Sequence, residues 1–182
     1  MVKKLAFVAL FGSLTLVALM STASPAAAQG SAAPATLQAA LANDVGTLSD
    51  KFTGLAKAME GKYDWKPGAG VRSVGEVFNL IVGENKMLAA LLTSGAPPAG
   101  PRPAPIADPA ALQDALKTSY AALKDAVAGL SEADLKAAVK IFGRDTTKQG
   151  AALMLMMDQH EHLGQSIAYA RSNNVTPPWS QK

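Results

Sequence analysis

The sequence contains no cysteine and few aromatic residues, and each scarcity excludes a class of protein. Without cysteine among its 182 residues, the chain can form no disulfide, thiolate metal site, cysteine nucleophile or lipid-modified N-terminal cysteine. Aromatic residues make up 5% of the chain, whereas hydrophobic residues, many of them alanine, make up 49%. Alanine-rich segments favour closely packed helices and supply little bulk to fill a β-sandwich, so the composition indicates a single helical domain.

The N-terminus has the three-part pattern of a secretory signal peptide. Lys3 and Lys4 precede an apolar run from Leu5 to Met20, and a small-residue segment ending at Ala28 follows. The run is short for a spanning helix, which needs ~20 residues. We therefore predict a signal peptide over residues 1–28, no stable membrane anchor after its cleavage, and a periplasmic or secreted domain over residues 29–182. A retained N-terminal anchor is the alternative.

Strong net charge is also absent. The whole chain carries 17 Lys and Arg against 14 Asp and Glu. Loss of Lys3 and Lys4 with the signal peptide leaves 15 against 14. So small an excess of positive charge provides no basic surface, and no nucleic-acid partner is expected.

Apolar residues recur at intervals of three and four along most of the mature chain, which is the period of an amphipathic helix. This spacing, together with the residues that flank each segment, predicts four long helices and one short helix. The predicted bounds are about 36–61, 73–93, 108–129, 131–139 and 146–172.

Capping residues and a proline-rich connection organise these helices. Ser73 and Glu76 have the spacing of a capping box at the start of the second helix. Asp108-Pro109 starts the third helix with a capping carboxylate and a proline at the first helical position. Residues 95–105 contain five prolines and two glycines, which predicts an extended crossover. No strand pattern of useful length is present. The predicted fold class is therefore all-α: a four-helix bundle with a long crossover between helices 2 and 3 and one short extra helix.

One face of the last predicted helix changes from apolar to polar along its length. Its members follow spacings of three and four: Ala151, Leu155, Asp158, His162, Gln165 and Tyr169. Because the first two are apolar, we expect this face to point into the bundle, where Asp158 and His162 at i and i+4 can converge. A carboxylate and an imidazole so placed can hold a divalent metal ion, or they can form a plain hydrogen-bonded pair. His160 belongs to another face and is expected to be exposed.

A metal site inside a bundle also needs a ligand from a facing helix. The second helix offers Glu84, the only anionic side chain between Val77 and Thr93, on the same face as Leu80. The alternative is that Glu84 is a surface charge near the middle of the helix. The candidate metal ligands are therefore His162, Asp158 and Glu84, with Gln165 or Tyr169 available to orient a substrate.

Four segments of the chain resemble the DinB-like family in their order and spacing. They are Trp65–Pro67, Arg72–Val77, His160–Arg171 and Pro177–Ser180, and the resemblance runs from about Thr36 to Ser180. It implies a four-helix bundle with a long crossover, and a metal pocket built from three histidines, one on the second helix and two on the last.

In this sequence, the family's three histidine positions fall on Leu80, Asp158 and His162. One ligand has become apolar, one has become a carboxylate, and one is retained. Glu84, one turn after Leu80, could replace the missing donor and complete a site for Zn²⁺ or Ni²⁺. The family's activities include metal-assisted thiol transfer and thiol-dependent isomerisation. Low-molecular-weight thiols belong to the cytoplasm, so the predicted export argues against carrying these activities over.

Three functional hypotheses follow, and they leave open whether the chain is an enzyme. The first, motivated by Leu80, is an exported, non-catalytic or weakly metal-binding variant of the bundle. The second is a divalent-metal-dependent hydrolase or transferase that uses Glu84, Asp158 and His162. The third is an interaction module that forms a homodimer through a helix face.

Overall fold

The computed structural model describes residues 36–180 of the chain. The predicted signal peptide, residues 1–28, lies outside this range. The elements in chain order are α1 (Leu37–Ala58), α2 (Val74–Ser94), α3 (Pro109–Ala128), α4 (Glu132–Lys136), β1 (Ala138–Ile141), β2 (Arg144–Thr147) and α5 (Lys148–Ser172), with a final 3₁₀ turn at Pro178–Ser180. The prediction of a mainly helical chain with four long helices is confirmed.

The helices begin at the residues that the sequence marks as caps. In the capping box of α2, the Ser73 hydroxyl accepts from the Glu76 amide at 3.2 Å, and the Glu76 carboxylate accepts from the Ser73 amide at 2.6 Å. Asp108 caps α3 by accepting from the Ala111 amide at 2.8 Å, with Pro109 at the first helical position. These bonds satisfy backbone donors that have no partner within the helix.

The four long helices pack around one core. α3 contacts both α1 and α2, and α5 contacts the same two helices, so α3 and α5 lie diagonally across the bundle. Phe52 of α1 stacks on Tyr120 of α3 at 6.1 Å between ring centroids and meets the edge of Phe78 of α2 at 6.4 Å. These fully buried rings fill the space that the many alanine and leucine side chains leave between the helices.

The Asn79 side chain of α2 forms two hydrogen bonds with the crossover between α2 and α3. The Asn79 amide donates to the Ile106 carbonyl at 3.1 Å, and its oxygen accepts from the Ile106 amide at 2.8 Å. The Asn79 side chain thus satisfies both backbone polar groups of Ile106 and holds the proline-rich connection against α2.

A short β-hairpin departs from the all-α prediction. β1 and β2 pair antiparallel from Ala138 opposite Thr147 to Ile141 opposite Arg144. The predicted absence of strands was therefore wrong, as was the extension of the short helix to Val139, because α4 ends at Lys136. Four-residue strands carry too few alternations to be distinguished from a helix end, although Val139 and Ile141 are both buried on one face.

The hairpin also fixes the start of α5. The Thr147 hydroxyl accepts from the Gly150 amide at 3.1 Å as the cap of the helix. A Cβ atom at Gly150 would collide with the Thr146 hydroxyl oxygen, so the absence of a side chain allows the hairpin to approach the first turn. Among residues 36–180, no helix combines the length and hydropathy that crossing a membrane requires.

Candidate metal centre

The structure brings together the three side chains that the sequence singled out as metal ligands. Glu84 lies near the middle of α2, and Asp158 and His162 lie one turn apart on the facing stretch of α5. One ligand atom from each residue lies within 4.8 Å of the others. His162 Nε2 is 3.6 Å from Asp158 Oδ2. That distance is close to the roughly 3.4 Å that separates two ligands about 2.1 Å from a tetrahedral ion.

The three residues differ in how far they are exposed. Glu84 is buried, with 8% of its surface accessible, so it is not the surface charge of the alternative interpretation. The side chain of His162 is 17% exposed and that of Asp158 is 44% exposed. The cluster therefore has a buried floor at Glu84 and an open side at Asp158.

Two buried amides hold α2 and α5 in the register that forms the cluster. Asn85 follows Glu84 in α2 and Gln159 follows Asp158 in α5, and both are fully buried. Gln159 Nε2 donates to Asn85 Oδ1 at 2.8 Å. Because each amide is the neighbour of a candidate ligand, their bond places Glu84 beside Asp158.

The same amides reach across to α3. The Tyr120 hydroxyl donates to Gln159 Oε1 at 3.0 Å, and Asn85 Nδ2 donates to the Ser119 hydroxyl at 3.1 Å. Every polar atom of this network has a partner, as a stable buried network requires. Neither Asn85 nor Gln159 was predicted from the sequence as part of the site. Their only signal was an amide at a core-facing position of each helix.

Burial makes the Glu84 carboxyl a weaker acid than an exposed glutamate. Loss of hydration raises its pKa from 4.5 to about 8, and a hydrogen bond and like-charge repulsion with Asp158 act in the same direction. The positive charges of Arg72 and Arg102 oppose this shift. Glu84 Oε2 is buried and has no hydrogen-bond partner among the described residues. Near neutral pH, this oxygen is stabilised by a proton or by a cation.

Gln165 and Tyr169 face the cluster from behind His162. Gln165 Oε1 lies 2.9 Å from His162 Nδ1, and Gln165 Nε2 donates to the Tyr169 hydroxyl at 2.7 Å. The Tyr169 hydroxyl in turn donates to the Arg72 carbonyl at 3.2 Å. Gln165 and Tyr169 were predicted to orient a substrate, whereas their hydrogen bonds connect them to His162 and to the backbone just before α2.

The remaining candidates lie outside the cluster. Leu80, at the position of the family's second-helix histidine, is half-buried one turn before Glu84 and has no atom that can bind a metal. His160 is exposed, as expected, and its Nε2 pairs with the Asp44 carboxylate of α1 at 2.9 Å. The two histidines of the chain therefore have different environments, and only His162 belongs to the cluster.

A shallow groove on α5 adjoins the open side of the cluster. Its lining combines apolar side chains with two carboxylates: Gly150, Leu153, Met154, Met157, Asp158 and Glu161. Met157 and Leu153 are exposed there. A molecule that reaches Asp158 from this side would therefore contact the apolar side chains of Leu153 and Met157.

The donor set fits a divalent cation. Two carboxylates and one imidazole supply oxygen and nitrogen ligands, which suit Zn²⁺, Mn²⁺ and Fe²⁺ and lie within the range that Ni²⁺ accepts. Glu84, whose Oε2 has no hydrogen-bond partner among the described residues, supplies one of these ligand oxygens. Three protein ligands leave at least one coordination position open, which distinguishes catalytic from structural zinc sites.

Comparison with known proteins identifies the family and the fold. A family model described as the DinB superfamily matches residues 48–166. Among solved structures, the chain is similar to YjoA, a DinB-like protein from Bacillus subtilis, with a TM-score of 0.64 and 20% sequence identity. This likeness covers 75% of the present chain and 93% of YjoA, and at this identity it establishes the fold alone. No curated protein shows significant similarity to the chain.

Proposed function

The chain belongs to the DinB superfamily, and on that premise we propose that it binds one divalent metal ion through Glu84, Asp158 and His162 and uses it in a hydrolysis or transfer reaction. The observation that carries the proposal is the Glu84 carboxyl. It is buried, one of its oxygens has no partner, and it lies within reach of two other ligands. With a pKa of about 8 the metal-free carboxyl holds a proton near neutral pH, and a bound cation would take the place of that proton.

Each residue has a distinct part in this proposal. Glu84 supplies a buried oxygen that water does not reach, His162 supplies a ring nitrogen, and Asp158 supplies an oxygen at the open side. When bound, the ion contributes Lewis acidity, which lowers the pKa of water and polarises substrate oxygens. In this proposal a substrate approaches along the groove beside Asp158, with its apolar part against Leu153 and Met157.

Metal content and affinity provide the test. Tag-free protein purified from metal-supplemented medium is expected to contain one ion per chain, measured by elemental analysis. After removal with a chelator, Zn²⁺, Mn²⁺ or Ni²⁺ at 100 times its dissociation constant should stabilise the fold by about 2.7 kcal/mol. For a domain of this size, this is a rise in Tm of roughly 5–10 °C.

The second histidine of α5 offers a matched control. Glu84→Gln and His162→Gln should abolish stoichiometric binding, whereas His160→Gln, two residues from His162 but outside the cluster, should leave it unchanged. If no ion raises the Tm of the wild type, or if His160→Gln removes binding as fully as His162→Gln, the proposal is wrong.

A non-catalytic, weakly metal-binding variant of the bundle is the second candidate function. The observation that favours it is Leu80, which occupies the histidine position of the family and contributes no ligand. Replacing Leu80 with histidine separates the two candidates. A wild type that takes up no ion, together with a Leu80→His variant that binds one, would support loss of the site. Tight binding by both would support the three-ligand site.

A further inference from the structure

The hydrogen bonds behind His162 run in a direction that the backbone sets. The Arg72 carbonyl can only accept, so the Tyr169 hydroxyl, 3.2 Å away, uses its hydrogen there. The phenol oxygen can then only accept from its other neighbour, which requires the NH₂ group of Gln165 to face it at 2.7 Å. The amide oxygen of Gln165 is thereby turned toward His162 Nδ1 at 2.9 Å.

From these hydrogen-bond directions we infer that Gln165 and Tyr169 are positioning residues that select the tautomer of His162. An amide oxygen only accepts, so Nδ1 carries the ring hydrogen and Nε2 keeps its lone pair. Nε2 is the ring atom that lies 3.6 Å from Asp158. This relay of hydrogen bonds, which runs from the Arg72 carbonyl through Tyr169 and Gln165 to His162, therefore turns the lone pair of Nε2 toward Asp158.

The relay is anchored in the tertiary structure at its outer end. Tyr169 is buried, and the edge of its ring meets Trp65 at 5.3 Å between centroids. Arg72 immediately precedes the capping box of α2, so its carbonyl is held where that helix begins. The orientation of the imidazole on α5 thus depends on a backbone atom 90 residues earlier in the chain.

The opposite arrangement has a recognisable consequence. If the Gln165 amide were rotated by half a turn, Nδ1 would accept and Nε2 would carry the hydrogen toward Asp158. His162 and Asp158 would then form a closed pair, Nε2 would have no lone pair for a cation, and the Arg72 carbonyl would lose its donor. Partners that orient a metal-bound histidine in this way commonly change metal affinity 10–100-fold.

The inference concerns the ligand of the proposed metal site, but it can be tested without metal. The chain contains two histidines, so His160→Gln leaves His162 as the sole imidazole of tag-free protein. Long-range ¹H–¹⁵N NMR spectra of the metal-free protein at about pH 9, where an ordinary histidine is neutral, report the tautomer directly. We expect the Nδ1–H form.

Changes to the relay are compared in this His160→Gln background. Gln165→Leu should give a mixed or Nε2–H tautomer of His162. Tyr169→Phe, which keeps the aromatic ring beside Trp65, should also increase the population of the Nε2–H tautomer. Gln165→Glu should retain the Nδ1–H form, because a carboxylate accepts from Nδ1 and can accept from Tyr169. In zinc titrations, Gln165→Leu should lower the affinity 10–100-fold, with Gln165→Glu restoring most of it.

The outcomes separate this inference from the proposed function. An Nε2–H tautomer in the starting protein, or a tautomer unchanged by Gln165→Leu, would overturn the role of the relay even if metal binds tightly. An Nδ1–H tautomer that depends on Gln165, in a protein that binds no ion, would support the relay and refute the metal site.

Discussion

At the scale of single residues, the strongest conflict between a side chain and its surroundings is at Glu84. The carboxyl is buried on α2 beside the Asp158 carboxylate, and the positive charges of Arg72 and Arg102 only partly offset the cost of ionising it. Aliphatic residues would fill this position at lower cost, because a buried carboxyl loses its hydration without a full set of partners. Residues that reduce stability in this way often serve binding or catalysis.

This conflict predicts an unusual pH dependence for the metal-free protein. The pKa of Glu84 is about 8 in the folded chain and close to 4.5 in the unfolded chain. Between these values the folded state holds a proton that the unfolded state has released, so the free energy of unfolding falls as pH rises toward 8 and then levels off. Each pKa unit corresponds to about 1.4 kcal/mol, so the loss is on the order of several kcal/mol.

Glu84→Gln replaces the titrating carboxyl with an amide that does not ionise, so the variant should not lose stability between about pH 5 and about pH 9 as the wild type does. Chemical denaturation at about pH 5 and about pH 9 in chelator measures the effect, and the variant should be the more stable protein at the higher pH. Titrating groups that do not contact Glu84 are shared by the two proteins and cancel in the comparison. Equal pH dependence in wild type and variant would mean that Glu84 ionises as an ordinary exposed carboxyl.

The buried Tyr120 hydroxyl leads to a second prediction at this scale. Tyr120→Phe keeps the ring that stacks on Phe52 but leaves Gln159 Oε1 without its donor. An unsatisfied buried acceptor costs about 1–3 kcal/mol, which denaturant unfolding would detect as a lower midpoint with an unchanged slope. Metal affinity should fall as well, because Gln159 sets the register that places Glu84 beside Asp158. A loss below about 0.5 kcal/mol would show that another donor replaces the hydroxyl.

At the scale of secondary-structure elements, the hairpin before α5 contains a residue that does not suit its turn. Phe142 and Gly143 both have positive φ, 49° and 76°, as a two-residue type I′ turn requires. Asn-Gly is the favoured sequence for that turn, and a phenylalanine with positive φ is strained. The Phe142 side chain is also exposed, so it gains little from burial.

Phe142→Asn is therefore expected to stabilise the protein by about 0.5–1 kcal/mol, measured by thermal or denaturant unfolding. Gly143→Ala is the matched change in the opposite direction, since it places a Cβ atom at positive φ and should be destabilising. Destabilisation by Phe142→Asn would indicate that the exposed ring makes a stabilising contact.

The elements also show where sequence reasoning succeeded and where it failed. Long helices with strong caps, such as α2 behind Ser73 and α3 behind Asp108, were predictable because capping chemistry is local. The hairpin was missed because its turn contains Phe142 where asparagine would have signalled it. Helix periodicity placed Asp158 and His162 on one face, but no local rule could show that Asn85 would bond to Gln159, 74 residues away.

At the scale of the whole molecule, the cluster depends on contacts between distant parts of the chain. Glu84 comes from α2, Asp158 and His162 come from α5, and the buried amides join both helices to α3. The periodic pattern placed Asp158 and His162 on one face of α5, but the buried positions around them are Gln159, Leu163 and Ser166, and the Asp158 side chain is 44% exposed. The direction of Glu84 depends on how α2 and α5 are aligned along their axes. That alignment is set by tertiary packing, which a single sequence does not display.

We further propose, from the sequence, that the chain is exported and that residues 1–28 are removed. The small side chains of Ala26 and Ala28 match the positions that a signal peptidase recognises. When the full chain is expressed in a bacterium with an outer membrane, N-terminal sequencing of the periplasmic fraction should find Gln29 as the first residue. Loss of Lys3 and Lys4 with the signal would bring the net charge close to neutral.

Replacing Ala26 and Ala28 with leucine should block processing, because a bulky side chain does not fit the peptidase site, and a larger precursor should accumulate with the membranes. The same replacement at Ala32 and Ala33, just beyond the predicted site, is the control and should leave the mature mass changed only by the substitutions. A wild-type chain that stays full-length and membrane-associated would support the retained anchor instead. Full-length wild-type chain in the cytoplasm would refute export, and it would return the family's thiol-dependent reactions to the activities worth assaying.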